Sequence, residues 1–270
     1  SPAASCAIDM KTSFYRFPQL TLRFWPVWRR NYMVWKKLAI PSVLGNLADP
    51  MIYMFGLGYG LGALLPQING MPYITFLAAG TICYSTMNSA SFEALYSAFS
   101  RMHVQKSWEA IMNAPLMLDD VVLAEWIWAA SKSVLSGTAI LIVIWILGLT
   151  HSPLTLWIPL LALLIGICFS GMGLIMTALS PSYDFFMFYF TLVITPMTLL
   201  CGVFFPVDQL PSVLQTVAQF LPLTHAIELA RPLITGNVPQ NILLHIFVLL
   251  AYGVTGYYIA LVLIRRRLLK

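Results

Sequence analysis

Residues 93–125 read EALYSAFSRMHVQKSWEAIMNAPLMLDDVVLAE. Nowhere else inside the chain do charges crowd together over such a length: Glu93, Arg101, Lys106, Glu109, Asp119, Asp120 and Glu125. On either side the charges vanish. No Asp, Glu, Lys or Arg occurs from Pro50 to Phe92, and none from Ser133 to Tyr183. A membrane-crossing helix needs about 20 apolar residues, and both runs exceed that. A charged island between such runs is expected to lie in water at a membrane surface. Within it, SWEAIMNAP (107–115) predicts a short helix, with Ser107 as N-cap and Asn113 to Pro115 as the stop. We read this as a docking helix for a separate force-delivering protein. An ordinary solvated loop is the alternative.

Composition agrees with a membrane location. Of 270 residues, 59% are hydrophobic and only 9% charged, against about 25% charged in soluble domains. The net charge of +5 does not point to nucleic acid, because the basic residues can all but one be placed on one side of a membrane. Cys6, Cys83, Cys168 and Cys201 form no CxxC pair, which argues against a disulfide framework or a zinc site. Residues 1–21 have no continuous apolar core and are not read as a signal peptide.

Taken in order, residues 22–37 (LRFWPVWRRNYMVWKK) mix aromatic residues with Arg29, Arg30, Lys36 and Lys37. They predict an amphipathic helix in the membrane interface, aromatic side down. The frayed start of the first span is the alternative. Residues 38–264 hold the spans. The first, 38–65, is expected to kink or restart at Asp49-Pro50, with Asp49 as a cap. Gly56/Gly60 and Gly58/Gly62 in this span are small-xxx-small pairs that permit close helix contact. Further spans are expected at about 73–92, 121–149, 154–179, 185–205 and 242–264. The segment 206–236 is broken by Pro206, Pro211, Pro222 and Pro232, so two short re-entrant helices fit it better than a crossing, at 211–220 and 223–233. Residues 265–270 close the chain as a basic tail. The expected fold is therefore an all-α polytopic membrane protein with six transmembrane helices. Of 15 Lys and Arg, only Arg231 falls in the loops of the second face, so both termini are expected in the cytoplasm.

Catalytic patterns are missing. The sequence has no HExxH, GxSxG or metal-spaced cluster, and no Walker motif with which to bind ATP. His225 and Glu228 stand three apart, but two residues make a poor metal site. They are read as an interfacial pair that includes Arg231, and no metal is expected. Uncharged polar and aromatic residues in the spans, Tyr53, Tyr59, Tyr84, Asn88, Thr195 and Met197, are candidates for a substrate path between two copies of the chain. Phe204 and Phe205, where the broken segment meets the fifth span, are candidates for a seal.

Two segments resemble the membrane subunit of ABC-2-type transporters, nearest to the branch of the nodulation lipo-oligosaccharide permease. One runs through Phe92-Glu93, Arg101, Trp108-Glu109 and Ala114-Pro115-Leu116 to Glu125. The other is GVFFP (202–206), Leu210-Pro211, LPLTH (221–225) and Arg231. The resemblance covers residues 17–270 in segment order. It implies a homodimer working with two copies of a separate ATPase subunit that binds ATP and Mg, with no cofactor in this chain. It implies that the coupling loop 93–120 meets the ATPase through Arg101, His103, Lys106, Trp108, Glu109 and Pro115. It implies an outer gate over 206–236, with Phe204, Phe205, Pro206, Pro222, His225, Glu228 and Arg231. An amphipathic glycan or lipid is the implied cargo, and the bacterial inner membrane the implied location. A drug or lipid exporter of the same class, a non-transporting lipid-modifying enzyme in the membrane, and a structural or insertion-assisting protein are the competing readings.

Overall fold

The computed structural model describes residues 13–112 and 116–269. The expected helix stop at Asn113–Pro115, with Pro115 itself, lies outside the described residues. Helix α1 (Phe24–Lys36) meets α2 (Ala39–Gly60) at an 81° bend. A two-residue hairpin, β1 (Gln67–Ile68) with β2 (Met71–Pro72), turns the chain through Asn69 and Gly70 at φ 50° and 78°. Asn-Gly is the pair such a turn favours, because both residues tolerate positive φ. Then follow α3 (Tyr73–Phe92), extended by π-helical turns to Val104, and the short α4 (Ser107–Met112). Next come α5 (Leu118–Ile146), α6 (Ile158–Leu179, led in by a 3-10 turn), and α7 (Asp184–Leu200). Helices α8 (Ser212–Phe220), α9 (Pro222–Thr235) and α10 (Ile242–Leu268) complete the chain.

Among the described residues, three helices are long and apolar enough to cross a membrane: α5, α6 with its lead-in, and α10. The bent pair α1–α2 makes a fourth by composition, while α7 is apolar but shorter. Helix α3 has the length but carries Ser, Thr and Asn, and nearly all of it is buried. Two of its polar groups are satisfied within the bundle: Ser85 Oγ lies 2.7 Å from Ser136 Oγ on α5, and Thr86 Oγ1 donates to its own Ile82 carbonyl. An interior helix can carry such residues because neighbours, not lipid, surround it. Helix α6 stands at the centre, packed on α3, α5 and α10.

Several details differ from the expectations. Helix α2 runs unbroken through Pro50, so Asp49 caps nothing. The bend falls instead at Lys37–Leu38. Proline removes one hydrogen bond and strains its turn. Here that turn faces a cavity, where irregular backbone is tolerated. The basic end of the chain is not a free tail: α10 continues to Leu268, and Arg265 is buried with its guanidinium on Asp119 at 2.7 and 2.8 Å. Residues 14–21 lie along that same end, where the Gln19 amide donates to Asp119 and the Thr21 hydroxyl to Asp120.

Only part of the charged island is in water: Lys106 and Glu109 are exposed. Glu93, Asp119, Asp120 and Glu125 are all buried. Single-sequence reasoning exposes them because an unpaired buried carboxylate is prohibitively costly. Each has cationic, N–H or O–H partners, most of them brought from elsewhere in the chain, which removes the objection.

Candidate functional site

A cleft of about 480 Å3 opens between α2, α3 and α7. Tyr53 and Asp49 enter it from α2, Tyr84 and Asn88 from α3, and Thr195 from α7, with Phe204 at its end. The rings are arranged edge to face or tilted: Tyr53 with Tyr84 at 6.2 Å, and Tyr53 with Phe204 at 6.3 Å between centroids. Such geometry leaves ring faces available for stacking. The Tyr73 hydroxyl donates to the Phe204 carbonyl at 2.7 Å and fixes the chain at that end.

Four of the six path candidates thus meet in one place. Tyr59 and Met197 do not. Tyr59 is exposed and stacks on Phe55, and Met197 is packed in the core. A cleft expected to be free of charge also contains one carboxylate: Asp49 accepts from the Tyr84 hydroxyl at 3.4 Å. An acid on a membrane-spanning helix is a functional candidate by default.

Of the gate candidates, Phe204 reaches the cleft and Phe205 does not line it. Pro206 lines a separate recess with Gly202 and Arg231. Pro222 sits in the first turn of α9, where a missing N–H costs nothing. Arg231 is not paired with Glu228. Its guanidinium lies 3.7 Å over the Phe76 ring and donates to the Phe76 and Gly202 carbonyls, each at 2.9 Å. It ties α9 to α3 and to the end of α7 through backbone. Glu228 instead faces His245 of α10 at 3.1 Å, and His245 faces His225 at 2.8 Å. Sequence reading missed His245 because it hides in the apolar run ILLHIF (242–247).

At the opposite end, the island forms a compact network of charge. Arg101 donates to Glu125 through Nε at 2.9 Å and to Glu93 through Nη2 at 3.0 Å. Lys132 Nζ reaches Glu93 at 2.9 Å. Two carboxylates and two cations balance. Three further donors close the remaining sites: Trp128 on Glu93 at 2.7 Å, and Trp108 and Asn31 on Glu125 at 3.2 and 3.1 Å. Trp108 is therefore not a surface anchor. It is fully buried and points from α4 into the bundle. His103, Lys106 and Glu109 are the exposed members of the docking set. In α1, Arg29, Lys36 and Lys37 are exposed, while Arg30 Nη2 reaches the Ser107 hydroxyl at 3.4 Å. The aromatic side of α1 packs on α5 as well: Trp28 and Trp35 both set their rings edge-on to Trp128.

Long apolar helices around a cleft, with a network of neutralised charge at one end, fit a multi-pass membrane protein. The chain belongs to the ABC-2 type transporter family, whose model matches residues 23–235. It is similar to Nodulation protein J of Rhizobium leguminosarum bv. viciae, 50% identical over 250 residues that cover 92% of this chain and 96% of that protein. Nodulation protein J of Rhizobium meliloti (strain 1021) is 47% identical over 90% of this chain and 93% of its own length. A more distant likeness is the inner membrane transport permease YadH of Escherichia coli (strain K12), at 24% identity over 88% of this chain and 91% of that protein.

Proposed function

We propose that this chain is the membrane-spanning half of an ATP-driven exporter for a large amphipathic molecule, a lipid-linked saccharide or lipo-oligosaccharide. The observation that carries this is the cleft between α2, α3 and α7. It offers aromatic faces, hydroxyls and an amide, which suit sugar rings, and apolar walls that suit an acyl chain. A second copy of the chain would complete the conduit. Two copies of a separate ATPase subunit would bind ATP and Mg. Six crossings follow if α2, α3 and α7 join α5, α6 and α10: α3 is shielded from lipid by the bundle, and α2 is apolar on its exposed side. The concentration of Lys and Arg at one end supports a bacterial inner membrane orientation with both termini in the cytoplasm.

Co-purification with the ATPase subunit, followed by reconstitution and export assays with lipid-linked glycans, tests the proposal. Substrate-stimulated ATP hydrolysis with glycan export is the expected result. No stimulation by any glycan, with stimulation by hydrophobic drugs, would favour the drug-export reading. The seal is tested in the same preparation. Phe204→Ala combined with Phe205→Ala is expected to raise basal ATP hydrolysis two- to fivefold or to let small solutes leak, on the order of 1 kcal/mol of gating free energy. Phe204→Ala alone should carry most of the effect, since Phe205 is off the cleft. An unchanged leak and basal rate in the folded double variant would remove the gate.

The exposed face of α4 gives a second measurement. Glu109→Arg reverses a charge at a solvent-facing position, so folding should be unaffected. Affinity for the ATPase subunit is expected to fall about tenfold, in the range for a rim charge in a protein contact. Wild-type affinity and export in this variant would return α4 to an ordinary loop. Trp108→Ala would not serve this purpose, because it would open the buried network instead.

A further inference from the structure

At the end of the bundle opposite the charged island, three side chains from two helices converge. His225 and Glu228 lie one turn apart on α9, and His245 lies in the first turn of α10. Their ligand-type atoms all fall within 4.8 Å of one another. Both imidazoles are buried, each only 4% exposed, while Glu228 reaches solvent.

Hydrogen-bond logic shows that the two neutral imidazoles and a carboxylate do not satisfy one another unaided. His225 Nε2 lies 2.7 Å from the Gln219 carbonyl, which can only accept. Nε2 therefore carries a hydrogen, and Nδ1 of a neutral His225 holds a lone pair. That lone pair faces His245 Nδ1 at 2.8 Å, so His245 must donate from Nδ1. The neutral tautomer this dictates leaves a second lone pair on His245 Nε2, pointed at the Glu228 carboxylate 3.1 Å away. Two acceptors in contact repel. A further hydrogen or a metal cation is needed between them. Arg231, one turn further along α9, does not supply it, because its Nη2 is spent on the Phe76 and Gly202 carbonyls.

We propose that His225, His245 and Glu228 form a binding site for a divalent transition metal of the zinc class, which fastens α9 to the start of α10. Two imidazoles and a carboxylate are a ligand set that suits zinc and its neighbours. The Gln219 carbonyl gives His225 the outer hydrogen bond that metal-bound histidines usually have, and it selects the tautomer with Nδ1 free. Tetrahedral coordination at about 2.0–2.1 Å sets two nitrogens roughly 3.3 Å apart. His225 Nδ1 and the Glu228 carboxylate now meet opposite nitrogens of His245, so the His245 ring must turn to present one nitrogen to an ion shared by all three. Metal binding would displace the proton between them. A cleft of about 760 Å3, lined by Glu228, Gln240, Asn241 and His245 among others, gives an entry path and room for a water as fourth ligand.

The test uses the full chain purified in detergent and stripped with a chelator. Cobalt(II) is titrated while its visible ligand-field bands are followed, and zinc(II) is titrated by calorimetry. The expected result is one ion per chain, tetrahedral-type cobalt bands that zinc abolishes, and a thermal transition raised by zinc. His245→Gln should weaken binding about 100-fold or more, since loss of a direct ligand exceeds the 10–100-fold typical of an outer partner. Glu228→Gln, on an exposed side chain, keeps the fold and should weaken binding at least tenfold. His151→Gln, an exposed histidine outside the cluster, should titrate like the parent. A parent chain with no saturable uptake, or a His245→Gln or Glu228→Gln variant that binds like the parent, would overturn the site and leave a shared proton as the cation. That outcome would leave the transport proposal untouched, because neither measurement depends on ATP or on export.

Discussion

Arg101→Met is expected to destabilise the protein by about 3–5 kcal/mol, the cost of leaving one member of a buried ion pair without its partner. Glu125 would keep only two neutral donors, Trp108 Nε1 and Asn31 Nδ2. Glu125→Leu should cost a similar amount, since Arg101 would then hold a buried positive charge against Glu93 alone, which Lys132 already neutralises. The pair mutated together returns the network to balance, with Glu93 and Lys132 still paired. The double variant is therefore expected to be more stable than either single one, with a coupling on the order of 2–3 kcal/mol. Thermal or denaturant unfolding of the three variants in detergent measures this. Single variants that each lose less than about 1 kcal/mol, the range for surface pairs, would mean that the network is solvated after all. The network joins α1, the extension of α3, α4 and α5 through one pair of carboxylates. Trp108 connects α4 to α5 through its hydrogen bond to Glu125.

The helical runs were legible because apolar length and proline breaks act locally. The positions of α5, α6 and α10, and of the two helices between Pro206 and Gly236, follow from nearest-neighbour chemistry. What was not legible depends on distant partners. Asn31 and Glu125 are 94 residues apart, and Arg265 and Asp119 are 146 apart. Nothing near Glu125 in sequence announces that its carboxylate will be satisfied indoors, so charge density was read as exposure. Tyr53, Tyr84, Asn88 and Thr195 were found because uncharged polar groups in apolar runs need a reason. Tyr59 and Met197 met the same criterion and failed, since the facing of a helix is set by its neighbours. His245 had a signal that went unused: an imidazole in an apolar run requires a partner, and His225 was already under suspicion.

The glycine pairs of α2 are not where two helix backbones approach most closely. Gly56 and Gly60 of α2 have open space where a Cβ would stand, and Gly58 meets only the Ile74 side chain. The close approach is between α6 and α10. A Cβ on Gly171 would lie 2.4 Å from the Gly253 carbonyl oxygen, one on Gly253 2.8 Å from the Ile167 oxygen, and one on Gly256 2.6 Å from the Gly171 carbonyl carbon. All three obstacles are backbone, which cannot rotate aside. Contact this close is what holds helices together in lipid, where apolar burial gives little drive. Gly256→Leu is expected to force the helices apart at a cost of about 3 kcal/mol or more, at or above the upper end for overpacked sites. Gly256→Ala should cost about 1–3 kcal/mol by the same reasoning. The damage should spread, because α10 carries Arg265 to Asp119 at one end and His245 to His225 at the other. Loss of folded protein on size-exclusion chromatography and a lowered thermal transition are the readouts. Gly56→Ala is the control: with nothing to strike and a helix interior to favour it, it should be neutral or stabilising by up to about 1 kcal/mol. If Gly56→Ala proved as damaging as Gly256→Ala, the tight seam would lie on α2, and the order of helices argued above would have to be redrawn.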